Sequence, residues 1–117
     1  LLNVPIQVRD LLATAFASAT NITETTLIAG VASTFLDLIY IKFSNQSSAA
    51  VNVALRSSTG GTIIDIFSIP ANGTVGYAPP RPIPQSGEAA SAWTFQNQAS
   101  DDSTTTIAVS GLFSKEI

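Results

Sequence analysis

Asp37 and Asp65 are the side chains that most demand a chemical explanation, because each carboxylate sits between apolar neighbours, in Leu36-Asp37-Leu38 and Ile64-Asp65-Ile66. A carboxylate in such company needs a counter-charge or hydrogen-bond donors. The expected supplier is Arg56 or Arg9, in a structural ion pair within the subunit or across an interface. Asp101 and Asp102 are adjacent, as a glycosidase or a Ca²⁺ site would use them, but their Ser/Thr-rich surroundings read as a solvated turn. With no His and no Cys in the chain, only Ser–Lys or carboxylate-driven catalysis remains. Neither Lys42 nor Lys115 has a serine three residues before it; Ile39 and Leu112 stand there. Gly60-Gly61 is a turn signal without the Lys-Ser of a phosphate loop. No catalytic residue, metal or cofactor is expected, and the chain reads as no enzyme.

The aromatic residues offer one more chemistry. Trp93, Phe95, Tyr77 and Tyr40 could stack sugars on an open sheet, but Trp93 and Phe95 share strand parity, which favours a place in the core. Three matches to the glycosylation acceptor pattern begin at Asn21, Asn45 and Asn72, of the kind a Ser/Thr-rich chain produces by chance.

These residues need elements to position them. The 117 residues fit one domain with one core, and 45% hydrophobic residues are ordinary for a globular chain. The low share of charge, 11%, is what stands out. Five Lys and Arg scattered along a chain of net charge -3 form no basic stripe, so nucleic acid is not an expected partner. The longest unbroken apolar runs are a few residues, far short of the roughly 20 that span a bilayer, so no membrane is expected either. A surface of Ser, Thr, Ala and Asn suits close subunit contact.

The pattern predicts an all-β chain. From Ile22 onward, alternating apolar runs at 22–28, 34–44, 50–56, 62–69, 74–77, 91–98 and 104–113 are punctuated by turn residues, among them Gly60-Gly61 and Pro70-Ala71-Asn72-Gly73. Seven or eight short strands at this spacing imply an antiparallel β-sandwich, jelly-roll or immunoglobulin-like. The run Pro79-Pro80-Arg81-Pro82-Ile83-Pro84 cannot donate to a central ladder and must be an edge, a crossover or a surface-lying polyproline segment. Residues 1–21 stand apart as an N-terminal docking arm before a sandwich domain at 22–117. Leu11, Leu12, Ala15, Phe16 and Ala19 have helical spacing behind a capping Asp10, so this segment is either a short helix or an extended arm.

The stretch Thr34–Phe43 is apolar on both strand faces, with Phe35, Ile39, Ile41 and Phe43 on one side and Leu36, Leu38 and Tyr40 on the other. One face fills the core, and the second needs a cover. The expected contact set is Leu36, Leu38, Tyr40, Ile64 and Ile66, with Leu11, Leu12 and Phe16 from the arm. Alternation does not say which face is inner, so the inverted assignment, Phe35, Ile39, Ile41 and Phe43, stays open.

The order of segments Thr26–Ser33, Ser48–Leu55, Ile69–Val75 and Ser86–Ala89, each turn chemistry between alternating strands, resembles small β-sandwich structural proteins of tailed bacteriophages, of the capsid decoration (cement) type. The resemblance covers residues 20–117. It implies a jelly-roll-like subunit on the capsid surface of a virion, a homotrimer that binds the major capsid protein and ties neighbouring shell subunits together. The alternative is a carbohydrate- or receptor-binding module of a phage tail or fibre, which predicts an exposed Trp93 or Tyr77.

Overall fold

A computed structural model describes residues 12–20, 22–85, 90–98 and 106–116. Within them the chain forms eight strands and no helix: β1 (Leu12–Ala19), β2 (Thr25–Ile28), β3 (Phe35–Asn45), β4 (Val51–Arg56), β5 (Ile63–Ile69), β6 (Thr74–Tyr77), β7 (Trp93–Asn97) and β8 (Ile107–Glu116). They build two four-stranded antiparallel sheets, ordered β1-β8-β3-β6 and β2-β7-β4-β5. Strand one pairs with eight, three with six, two with seven and four with five. This nested pairing across two packed sheets is a jelly roll.

The turns follow from their residues. Gly60, at φ 70°, lies in the β4–β5 connection, where the backbone takes a sign that favours glycine. Gly30 answers a different need: a Cβ there would lie 2.0 Å from the Ala90 carbonyl oxygen, so two backbones meet at that point.

The core lies between the sheets. Leu36, Leu38, Ile41, Phe43, Val109 and Phe113 from one sheet meet Val53, Leu55, Phe67, Trp93 and Phe95 from the other. Phe43 and Phe67 stack with ring centres 4.7 Å apart across the two sheets, and Trp93 lies 5.6 Å from Phe113. The small inner side chains of β1, all alanine at 13, 15, 17 and 19, let that margin of the sandwich close.

Two expectations are corrected here. Helical spacing at Leu12, Ala15, Phe16 and Ala19 belongs to a strand: β1 pairs residue for residue with β8, from Leu12 opposite Ser114 to Ala19 opposite Ile107. Residues 12–19, expected within the docking arm, are therefore part of a sheet, while Leu11 and the rest of residues 1–11 lie outside the described residues. The second correction concerns β3. Its register against β8 shifts between Leu38 and Tyr40, so one extra residue enters the strand and reverses its parity. Leu36 and Leu38 point inward before the shift, and Ile41 and Phe43 point inward after it. Leu36 and Leu38, expected at a subunit contact, are fully buried core residues. The inverted assignment is corrected as well, since Ile41 and Phe43 are buried while Phe35 is exposed and Ile39 half-buried.

Candidate interaction face

The two sheets treat their outer faces differently. On the β2-β7-β4-β5 sheet, the outward Arg56 and Gln96 of β4 and β7 bond to one another, while Ile66 of β5 stays exposed. Arg56 donates from Nε to the Gly61 carbonyl at 2.9 Å and from Nη1 to Gln96 Oε1 at 2.7 Å. Gln96 Nε2 donates in turn to the Ile22 carbonyl at 2.9 Å. Beside them the Glu24 carboxylate accepts from Thr94 Oγ1 at 2.5 Å and from the Gly60 N–H at 2.9 Å. The β4–β5 loop is thus tied down over its own sheet, and Thr94 and Ala54 are fully buried although they face outward.

Glu24 senses this setting. Burial alone would push its pKa up, but the Thr94 hydroxyl, the Gly60 N–H and the Arg56 charge together hold it below the usual carboxylate range.

The outer face of the β1-β8-β3-β6 sheet has no such cover among the described residues. Register places Thr14, Leu112 and Tyr40 in one row and Phe16, Ser110, Lys42 and Gly76 in the next. Phe16 is 70% exposed, Tyr40 38% and Leu12 37%. Between these large side chains stand Thr14, Ser18, Ala108, Ser110, Ser44 and Gly76, all small. A Cβ on Gly76 would come 2.5 Å from the Tyr40 hydroxyl oxygen, so the tyrosine lies flat across β6. The result is a face on which a few large side chains stand among small, mostly uncharged ones, with Lys42 in its middle, and which is bounded on one side by β1 at the edge of the sheet.

Of the expected contact residues, Tyr40, Leu12 and Phe16 come together on this face. Ile66 is exposed, at 49%, but on the other sheet, and Ile64 is half-buried against the core. The predicted ion pairs do not form as expected among the described residues: Asp37 Oδ1 accepts the Gln85 N–H at 3.0 Å, Asp65 Oδ1 accepts the Ile66 N–H at 2.8 Å, and Arg56 is engaged with Gly61 and Gln96. Arg9, Asp101 and Asp102 lie outside the described residues. Trp93 and Phe95 are fully buried, and Tyr77 packs inward on Phe67 with ring centres 5.7 Å apart, so no sugar platform forms from them. Asn45 is no open acceptor for glycosylation, since it is buried and its Nδ2 donates to the Ala49 carbonyl at 2.8 Å. Asn72 is exposed at a turn, and Asn21 lies outside the described residues.

The proline-rich run does act as a strap. β6 covers β3 only from Ile41 to Ser44, leaving the start of β3 open on that side. Ile83 closes it, exchanging two backbone bonds with Leu38, at 2.8 and 2.9 Å. Gln85 extends the closure: its Oε1 accepts the Leu36 N–H at 2.9 Å, and its Nε2 donates to the Ser91 carbonyl. Sequence reasoning singled out neither Gln85 nor Glu24. The only advance signal was that Ile83, between Pro82 and Pro84, is the one residue of that triplet with an N–H to give.

The sequence matches no protein-family model and no curated protein. Three solved structures are similar to this chain. PirA aligns with TM-score 0.49 and 6% identity over 85% of this chain and 92% of that one. The coat protein of tobacco streak virus aligns at TM-score 0.45 and 7% identity over 97% and 90%. Bacillus endospore appendages, which form disulfide-linked pili, align at TM-score 0.41 and 11% identity over 88% and 84%. With identities and TM-scores this low, what the chain does must be argued from its own surfaces.

Proposed function

We propose that this chain is a non-enzymatic structural protein of a virion, a capsid decoration (cement) subunit that associates with itself and binds the outer shell, stabilising contacts between major capsid subunits. One observation carries the reading: the outer face of the β1-β8-β3-β6 sheet gathers Phe16, Tyr40 and Leu12 in solvent, while on the opposite sheet a loop and a polar network cover β4 and β7 and leave Ile66 exposed on the edge strand β5. Large apolar side chains gathered in solvent on one sheet face mark a surface for contact. Burial of such a face, repeated over many copies, multiplies weak contacts into a stable coat. A homotrimer, as the resemblance implies, is one closed assembly open to such a subunit.

The test is the solution mass of the purified chain over a range of concentrations, followed by co-sedimentation with shells of the major capsid protein. Self-association plus retention on shells supports the reading. A chain that stays monomeric and passes shells by would overturn it. The binding-module alternative lost its main support when Trp93 was found in the core.

A further inference from the structure

The four sheet edges of this jelly roll are unequal. Natural sheets protect their edges with short strands, bulges, charges or prolines, because an open ladder pairs with other chains. Three edges here carry such devices. β2 has four residues and a register break between Thr26 and Ile28. β6 has four residues and runs into Pro79-Pro80. β5 carries an exposed Asp65, and its ladder with β4 breaks at Leu55/Arg56. The fourth edge, β1, has eight residues, LATAFASA, with no charge, no proline, no glycine and an unbroken register against β8. Among the described residues it pairs on one side only.

We infer that β1 is a self-pairing edge: two copies of this chain join β1 to β1, antiparallel about a two-fold axis at Ala15, so that the β1-β8-β3-β6 sheets run on into one another. The inference rests on the reading of the chain as a self-associating coat component and names the surface and the partner. The sequence of the strand fits its own reverse. Residues opposite each other in an antiparallel pair share a face, so a two-fold must fall on a residue, not between two. With Ala15 opposite Ala15, Ala13 meets Ala17 on the inner side, small against small. On the outer side Thr14 meets Phe16 and Leu12 meets Ser18, large against small each time. No charge stands anywhere along the seam, so nothing in it repels a second copy. A different protein strand needs its own complementarity to this edge; a second copy brings it already.

The chain has no cysteine, so single-cysteine variants report contacts without background. In Ala15→Cys the two thiols of a pair would sit on opposed Cα atoms about 4.5–5.5 Å apart, within disulfide range. Thr74→Cys, on the β6 edge, is the control. Under mild oxidation the expected result is a covalent dimer for Ala15→Cys, little for Thr74→Cys, and twice the chain mass for the unmodified protein in solution. The double variant Thr14→Lys/Phe16→Lys, at two exposed positions, should halve that mass while leaving the circular dichroism spectrum of the fold intact. An oligomer, including a trimer, without the Ala15→Cys crosslink would overturn β1 pairing alone and leave the coat reading standing. A monomer at every concentration that also passes shells by would overturn both. Equal crosslinking at Ala15→Cys and Thr74→Cys would mean random collision and would also overturn the inference.

Discussion

The indole Nε1 of Trp93 donates to the carbonyl oxygen of Leu36 at 2.6 Å, in the middle of the core, joining β7 of one sheet to β3 of the other. The same Leu36 gives its N–H to Gln85. A stretch of strand with no neighbour in its own sheet on that side therefore has both backbone groups satisfied by side chains. Trp93→Phe would keep most of the buried ring and orphan the carbonyl, which costs about 1–3 kcal/mol. Urea unfolding followed by circular dichroism should show the lower midpoint; an unchanged midpoint would mean the bond is dispensable.

Ile83 joins the proline strap to β3 through two backbone hydrogen bonds. Ile83→Pro removes the N–H that now reaches the Leu38 carbonyl and leaves that buried acceptor without its bond. A loss of about 1–3 kcal/mol is expected, with faster hydrogen exchange at Leu38 than at Ile41, which β6 pairs. Uniform exchange along β3 in this variant would show that the strap does not guard the edge.

Glu24 predicts an acid limb in the stability curve. Its pKa is lower in the folded chain than the ordinary glutamate value of 4.5, so its contribution is complete above that value and disappears as pH falls through the folded value. Glu24→Gln should lower stability at neutral pH and flatten the dependence below 4.5. Thermal melts at a series of pH values decide it; parallel curves for the two proteins would refute the linkage.

Asn97 is buried at the end of β7, and among the described residues neither its Oδ1 nor its Nδ2 finds a hydrogen-bond partner. A buried amide without partners costs about 1–3 kcal/mol, and an apolar side chain of like shape removes that cost. Asn97→Leu should therefore raise the unfolding midpoint. A fall would show that the amide serves something other than stability.

Two phenylalanines separate core from surface. Phe43→Ala empties a fully buried site and should cost about 3–5 kcal/mol. Phe16→Ala removes a ring that is mostly in solvent and should change the stability of the isolated subunit by less than about 0.5 kcal/mol, while weakening self-association. Comparable losses from both would place Phe16 in a packed environment.

Much of this architecture was legible in the residues. Alternation and turn chemistry located β3 to β7 to within a few positions, and the proline run was correctly confined to an edge role. What was hidden had physical causes. Leu12 and Phe16 are four apart, a spacing that returns to the same face in a helix and in a strand alike, and the alanines between them fit either. The register shift after Leu38 needs only one extra residue, which leaves no mark on an apolar run yet sends Leu36 and Leu38 inward and Tyr40 outward. The network of Glu24, Thr94 and Gly60 is assembled by register across residues far apart in the chain. That Tyr40, Leu12 and Phe16 share one sheet face followed only from the pairing of strands, because the sequence set Leu12 and Phe16 apart in an arm.

The nested pairing also sets an order of events. β4 and β5 are close in sequence and can meet first, whereas β1 must find β8 across most of the chain, the strand pairing with the greatest entropy of closure. β1 has a ladder to join only once β8 lies beside β3. By this ordering the eight-residue edge at β1 is expected to form late in folding. Unfinished chains have nothing to offer there, and recruitment through that edge would admit completed subunits while passing over those still on the way.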